Sequence, residues 1–532
     1  MRGIPQLFPF WVLQSPWCNE KWAHHGDFLV NELRNVDYMG RTLKKFLIGF
    51  LTAAMLMIIP AGLAMADDNC IEVTIDGTAT SYTNMQDGWN AAYDAAKSGK
   101  TVTAKLLADW TGGSDRLMGS GNGFSNGRLA AAGTGLTLDL NGHTLDRALR
   151  SAKDDGAVIY IPDGTKLTIV DSAPTEYNYS NAIAGGVITG GWGNNGAGLI
   201  DIKNGELVMT GGSLINGATN EDGGAILAHN VSGMNMNISN VRFVGNSTQN
   251  SSDKCHGGAI RADGSGTITL YNCSFEDNYS ENNGGAIYVE DGITMNITRT
   301  TFSGNRCKDN GGAVYSNATG SAIYDDCTFY NNHADGSGGA LYTNKDGSTE
   351  LRDVEMLCNS AGNEGGAWYI NAWKTFMYNV KIEENTSSGK GGGVYVDSYY
   401  DTNLQGLMII RNNTSNKEAR TSNLFLQTGL GDSSQARFIN GGCNPGSEVH
   451  YGTDNNGASC VCNEMTEYQL QYFVTDEKSQ ELAKDSVRTE SYSVASIFTD
   501  GSLWIIIGGF ALMAAAAAVA VIIGVRRKAG QK

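Results

Sequence analysis

Five tyrosines, Tyr288, Tyr315, Tyr342, Tyr369 and Tyr395, follow one another at intervals of 27, 27, 27 and 26 residues. Two residues beyond each lies a polar position, which over the whole series reads His229, Asp263, Glu290, Asn317, Asn344, Asn371 and Asp397. Two kinds of chemistry fit this spacing. Aromatic side chains presented in a row offer faces for stacking on sugar rings, or an apolar strip for a protein partner. Asp263 and Glu290, brought side by side, could share a calcium ion. The plainer roles of the same residues are a column of rings that stabilises a sheet, and Asn and Asp side chains that bond to nearby backbone at turns.

No complete catalytic set accompanies them, and no catalytic residue is assigned. Asp154-Asp155 and Asp325-Asp326 are chain neighbours, so in strands they point to opposite faces and make no acid/base pair. CxxC pairs and HExxH are absent, which argues against a structural zinc site. Asp and Glu outnumber Lys and Arg by 55 to 38, which argues against a phosphate backbone as partner and sets nucleic-acid binding aside.

The element that must position these residues is a repeat. Paired glycines open at Gly223, Gly257, Gly284, Gly311, Gly338, Gly365 and Gly391, at intervals of 34, 27, 27, 27, 27 and 26 residues. Three residues on stands an apolar column, Ile226, Ile260, Ile287, Val314, Leu341, Trp368 and Val394. Five residues on comes Ala228, Ala262, Val289, Ser316, Thr343, Ile370 and Val396, on the same inward face of a strand. The position between them, Leu227, Arg261 and then the five tyrosines, therefore faces out. Phe243, Phe275, Phe302, Phe329, Met356, Ile382 and Ile409 form a further apolar column. Each is followed three residues later by Asn246, Asn278, Asn305, Asn332, Asn359, Asn385 and Asn412. Short strands cut by Gly, Asn and Asp turns at this period fit the coils of a parallel β-helix, whose equivalent side chains form ladders about 4.8 Å apart. With 69 glycines, seven prolines and no three-residue period, glycine here punctuates turns.

Looser coils precede the glycine pairs, in "GTGLTLDLNGHTLDR", "DGTKLTIVDS" and "NGELVMTGGSLINGA". Before them Trp89, Ala92, Tyr93 and Ala96 lie at helical spacing and stop at Gly99, which predicts a helix covering the open end of the core.

The two signatures recurring together, GGAI/GGAV/GGAL and FxxN, as in "GGAIRADGSGTITLYNCSFEDN" and "GGAVYSNATGSAIYDDCTFYNN", resemble the repeat of the polymorphic outer membrane proteins, within the broader pectate-lyase-like fold. The resemblance covers about residues 223–412. It implies a right-handed parallel β-helix and a surface-exposed, adhesin-like role. That family carries a C-terminal β-barrel translocation domain, and here the chain departs from it. Residues 503–525 are 23 residues without a charge, followed by Arg526, Arg527 and Lys528, the pattern of one membrane-spanning helix with a cytoplasmic tail over 526–532. The envelope of a Gram-positive-like bacterium fits that ending better than an outer membrane.

The expected organisation is an over-extended N-terminus over 1–38, a signal peptide over 39–66, an N-terminal cap region over 67–133 and the β-helix over 134–442. A cysteine-containing cap over 443–463 and a juxtamembrane linker over 464–502 lead to the anchor. Ten cysteines include Cys443, Cys460 and Cys462 close together, where one local disulfide is expected in an exported chain. The functional expectation is an all-β, membrane-anchored bacterial surface protein. It binds glycan or another surface partner, residues 67–502 lie outside the cell, and calcium is the one cofactor considered. The alternatives are a polysaccharide lyase or glycoside hydrolase of the same fold, and a purely structural envelope component.

Overall fold

The computed structural model of the chain describes residues 69–453, except 113–122, 126–127, 174–177, 180–182, 251–253, 398–400, 418–422, 427–436, 444–447 and 450. One coil shows how the repeat folds. Gly284 takes a φ of +68°, and a Cβ there would lie 2.3 Å from the carbonyl oxygen of Ile287, so only glycine makes this turn without strain. The strand Ile287–Thr298 follows, then Thr301–Ser303 and Arg306–Cys307, each separated by a tight turn. Each stacks in parallel and in register on its equivalents: Ile287–Thr298 lies between Ile260–Tyr271 on one side and Val314–Ala318 with Ala322–Asp325 on the other. Thr301–Ser303 and its equivalents make a twelve-stranded sheet, and Arg306–Cys307 and its equivalents a nine-stranded one. The result is an all-β parallel solenoid of right-handed type.

The core is the stack of inward columns. Ile287, Val289, Ile297 and Phe302 are wholly buried, and so are the residues one coil away at Ile260, Ala262, Leu270 and Phe275. Phe243, Phe275, Phe302 and Phe329 stack face to face with ring centroids 4.4, 4.9 and 4.8 Å apart. Cys273 and Cys327 sit in one column with Thr300 between them, as free, buried thiols that pack like small apolar residues.

The coils extend further at both ends than the glycine pairs indicate. Val102–Leu106 already pairs in parallel with Leu136–Asp139, and Trp110–Thr111 with Thr144–Asp146, so stacking starts inside the expected cap region. At the other end Tyr451–Thr453 stacks on Leu424–Leu426, past residue 442. A register shift also corrects one column. Ile382 pairs with Ile410, not Ile409, and the asparagine ladder passes from Asn385 to Asn413, not Asn412, because this coil is longer by one residue.

The helix Met85–Lys97 begins at Asn84, whose side chain accepts from the backbone of Gln86 and Asp87. It buries Trp89, Ala92 and Ala96 against the antiparallel strands Ile71–Ile75 and Val102–Leu106 and the first coils, and Trp89 donates from Nε1 to the carbonyl of Ala130 at 3.1 Å. Among the described residues no helix is long and apolar enough to cross a membrane. The stretches 1–66 and 503–525 lie outside them, as do Cys460 and Cys462. Cys443 ends the strand Arg437–Cys443. Cys358, which the sequence reading leaves unassigned, is disulfide-bonded.

Candidate functional site

The outward column that holds the tyrosines is the place to look for chemistry, because register puts one of its residues in every coil. Tyr288, Tyr315, Tyr342, Tyr369 and Tyr395 pair directly with one another across adjacent strands. Their rings stack nearly parallel, with centroids 5.1, 4.8, 4.6 and 4.9 Å apart. His256 covers the free face of Tyr288 at 4.3 Å, and Phe425 lies beyond Tyr395 at 5.6 Å. Every ring of the column thus has aromatic neighbours on both faces. Sugar stacking on these faces, the expectation from outward aromatics, has no room: the parallel β spacing is itself a stacking distance, so identical rings satisfy one another. Tyr288 and Tyr395 are buried, and the other three are half-buried.

What this column presents to solvent is a polar edge. The Tyr369 hydroxyl donates to Asp397 Oδ2 at 3.1 Å. Alongside runs an amide ladder in which Asn371 donates to Asn344 Oδ1 at 2.7 Å and Asn344 donates to Asn317 Oδ1 at 3.0 Å. Burial holds the phenols of Tyr288, Tyr315, Tyr342 and Tyr369 protonated to higher pH than usual, and nearby Glu290 adds to this at Tyr288 and Asp397 at Tyr369.

Asp263 and Glu290 do come together, with Arg261 between them. Arg261 occupies the outward column one coil before Tyr288. Its guanidinium pairs with Asp263 through Nη1, with Glu290 through Nη2 at 2.9 Å and with Asp222 through Nε at 3.2 Å, and lies 5.4 Å from the Tyr288 ring centroid. The cation that the two carboxylates would otherwise share is thus supplied by the protein. Among the described residues no group of three or more His, Cys, Asp or Glu side chains is arranged to hold a metal ion.

A second charged cluster was not foreseen. Followed toward the N-terminus, the outward column runs from Leu227 to Asp201, Tyr160 and Ala130. Beside it Arg128, buried, donates from Nη1 to Asp201 Oδ2 and pairs through Nη2 with Asp155 Oδ1, both at 2.7 Å. The same guanidinium lies 4.3 Å above the Tyr160 ring, and His229 Nε2 stands 3.7 Å from Asp201 Oδ1. Burial raises the pKa of Asp201, against the pull of Arg128 and His229. Arg147 donates to the backbone carbonyls of Asp155 and Ala157, and burial brings its pKa down to about 10. The sequence holds two partial signals, His229 in the polar column and Asp155 in a pair of neighbouring carboxylates. Arg128 and Asp201 are 73 residues apart in coils that lack the glycine pair, so no period aligned them.

Three stretches of the chain, 272–290, 299–317 and 326–344, match the Chlamydia polymorphic membrane protein repeat. Each begins just before an FxxN turn and ends just past a glycine pair, so a match spans the end of one coil and the start of the next. No curated protein and no solved structure matches the chain. The chain is therefore a parallel β-helix that carries polymorphic membrane protein repeats.

Proposed function

We propose that this protein is a membrane-anchored, adhesin-like bacterial surface protein whose β-helix binds a glycan or another surface partner. The observation that carries the reading is the match to a membrane-protein repeat on a solenoid whose outward guanidiniums, at Arg128 and Arg261, are held in ion pairs. Arg261 holds both carboxylates of the calcium candidate, and the tyrosine column is sealed by its own stacking. What both leave toward solvent is a regular, polar, multi-coil face, which suits recognition. The apolar segment 503–525 would tether the rod to the membrane, and the helix Met85–Lys97 would close the N-terminal end of the core.

The test is adhesion of cells that display the full chain to surfaces coated with host or wall polysaccharide. Adhesion above that of cells lacking the protein supports the reading, and release of sugar fragments by the purified chain overturns it. A glycoside hydrolase or lyase is the second reading, favoured by the Arg128, Asp155, Asp201 and His229 cluster, where two carboxylates converge on one guanidinium. In that case Asp201→Asn abolishes fragment release, while the adhesin reading has none to abolish.

A further inference from the structure

Among the described residues three large hydrophobic side chains are exposed: Tyr271, Phe376 and Tyr378, at 42, 38 and 44%. Tyr271 stands alone, four coils from Tyr378 along the same column, with its hydroxyl accepting from Arg299 Nη1 at 3.0 Å. Phe376 and Tyr378 form a pair. They lie two residues apart on the strand Trp368–Tyr378, alternating with Thr375 and Met377, which point into the core and are buried. Alternation therefore puts both rings on the outer face, with Cα atoms about 6.6 Å apart. Lys374, also exposed, extends the row by one position.

The neighbouring coils frame this pair with polar groups. On one side Phe376 is opposite Glu350 and Tyr378 opposite Arg352, and Arg352 Nε pairs with Glu350 Oε1 at 2.8 Å. On the other side Phe376 is opposite Asn403 and Tyr378 opposite Gln405, and Gln405 donates to Asn403 Oδ1 at 3.3 Å. A row of aromatic side chains is thus set between two rows of hydrogen-bonding side chains, each about 4.8 Å away.

The size of the patch selects its occupant. A stable protein interface covers about 800 Å² on each partner and has an apolar centre, which two rings bounded on both sides by polar rows do not provide. A pyranose fits better. Its C–H face is attracted to the negative face of an aromatic ring, and its hydroxyls, at the edge of the same ring, reach amides, carboxylates and guanidinium groups at hydrogen-bonding distance. Lys374 and Arg352 add cations for sugars that bear acid groups, on a chain otherwise acidic.

We infer that Phe376 and Tyr378 are a sugar-binding platform on the outer face of the long sheet, with Glu350, Arg352, Asn403 and Gln405 as its hydrogen-bonding rims. This rests on the proposed binding function and moves the contact surface away from the tyrosine column to the only neighbouring pair of exposed rings among the described residues.

The experiment titrates the detergent-solubilised full chain with chitohexaose, cellohexaose and hexagalacturonate, and repeats it with Phe376→Ala, Tyr378→Ala and Tyr378→Phe. At least one oligosaccharide should bind. Each alanine variant should then lose tenfold or more in affinity, Tyr378→Phe should stay within about threefold, and hydrogen exchange of the buried coil should not change, since both side chains are outside the core. Binding that the alanine variants keep in full overturns the platform while leaving the adhesin reading intact. Cell adhesion without binding of any of the three oligosaccharides does the same, and absence of both adhesion and binding overturns the two together.

Discussion

The side-chain amide of Asn305 donates to Oδ1 of Asn332, one coil on, at 2.9 Å, while Asn332 Oδ1 also accepts from the backbone N–H of Asn305 at 3.0 Å. Asn305 Nδ2 donates as well to the carbonyl of Phe275 in the preceding coil, so one buried side chain ties three coils. The pattern repeats from Asn246 through Asn413. Asn305→Ala would leave the N–H and Nδ2 of Asn278 and the carbonyl of Phe275 without these partners. The expected cost is about 3 kcal/mol or more, given roughly 1–3 kcal/mol for each buried group left unsatisfied. Hydrogen exchange should locate the loosening in the coils on either side, and wild-type protection there would refute the ladder's role.

Tyr342 separates the ring contacts it makes from those of its hydroxyl. Tyr342→Ala opens a gap between Tyr315 and Tyr369 and should destabilise by about 2–3 kcal/mol, through lost stacking and burial. Tyr342→Phe keeps the ring and should cost about 1 kcal/mol or less. Denaturant titration of the two variants compares them, and equal losses would mean that the hydroxyl and not the stack is what matters.

Alkaline pH acts on the same column with a definite sign. The folded phenols of Tyr288, Tyr315, Tyr342 and Tyr369 have raised pKa values, so the unfolded chain loses these protons first. Their contribution is fully present below the ordinary tyrosine pKa of about 10 and is lost as pH climbs from there through the folded values. Tyrosinate absorbance at 295 nm should rise in two stages, exposed tyrosines first and the stacked column only at higher pH or on unfolding. A single transition at the ordinary value would contradict the burial of the stack.

Cys273 and Cys327 should resist alkylation. Burial pushes their thiols up to about 11 and about 12, and both are free. Iodoacetamide at pH 8 should leave them unmodified in the native protein and label them after denaturation, as mass spectrometry of the peptides would show. Rapid native labelling would mean that these coils open on the timescale of the reaction.

Much of this fold was legible because a parallel β-helix repeats its side-chain environments. Ile287, Val289 and Phe302 could be assigned to the core, and Asn305 to a ladder, from the period alone. Where the period breaks, so does the reading: the extra residue before Ile410 moved the last apolar and Asn columns by one position, and the coils from Val102 to Ala130 carry no GGA signature to announce them. The candidate site was less legible. Alternation correctly turned the tyrosines outward, but it does not say that coil spacing brings their rings into mutual contact. The sequence likewise shows Asp263 and Glu290 at the repeat interval, and Arg261 in the adjacent column, without showing that the guanidinium reaches both. Phe376 and Tyr378 stand in columns whose residue type changes from coil to coil, which is why only their exposure in the folded chain sets them apart.

The most direct test of the account compares Tyr342→Phe and Phe376→Ala in the full chain, titrated side by side with the oligosaccharide that the wild type binds best. Internal stacking of the tyrosines and an exposed platform at Phe376 predict that Tyr342→Phe binds like wild type while Phe376→Ala loses affinity at least tenfold. The reverse result, affinity lost with the Tyr342 hydroxyl and kept without the Phe376 ring, would contradict it and return the binding surface to the tyrosine column.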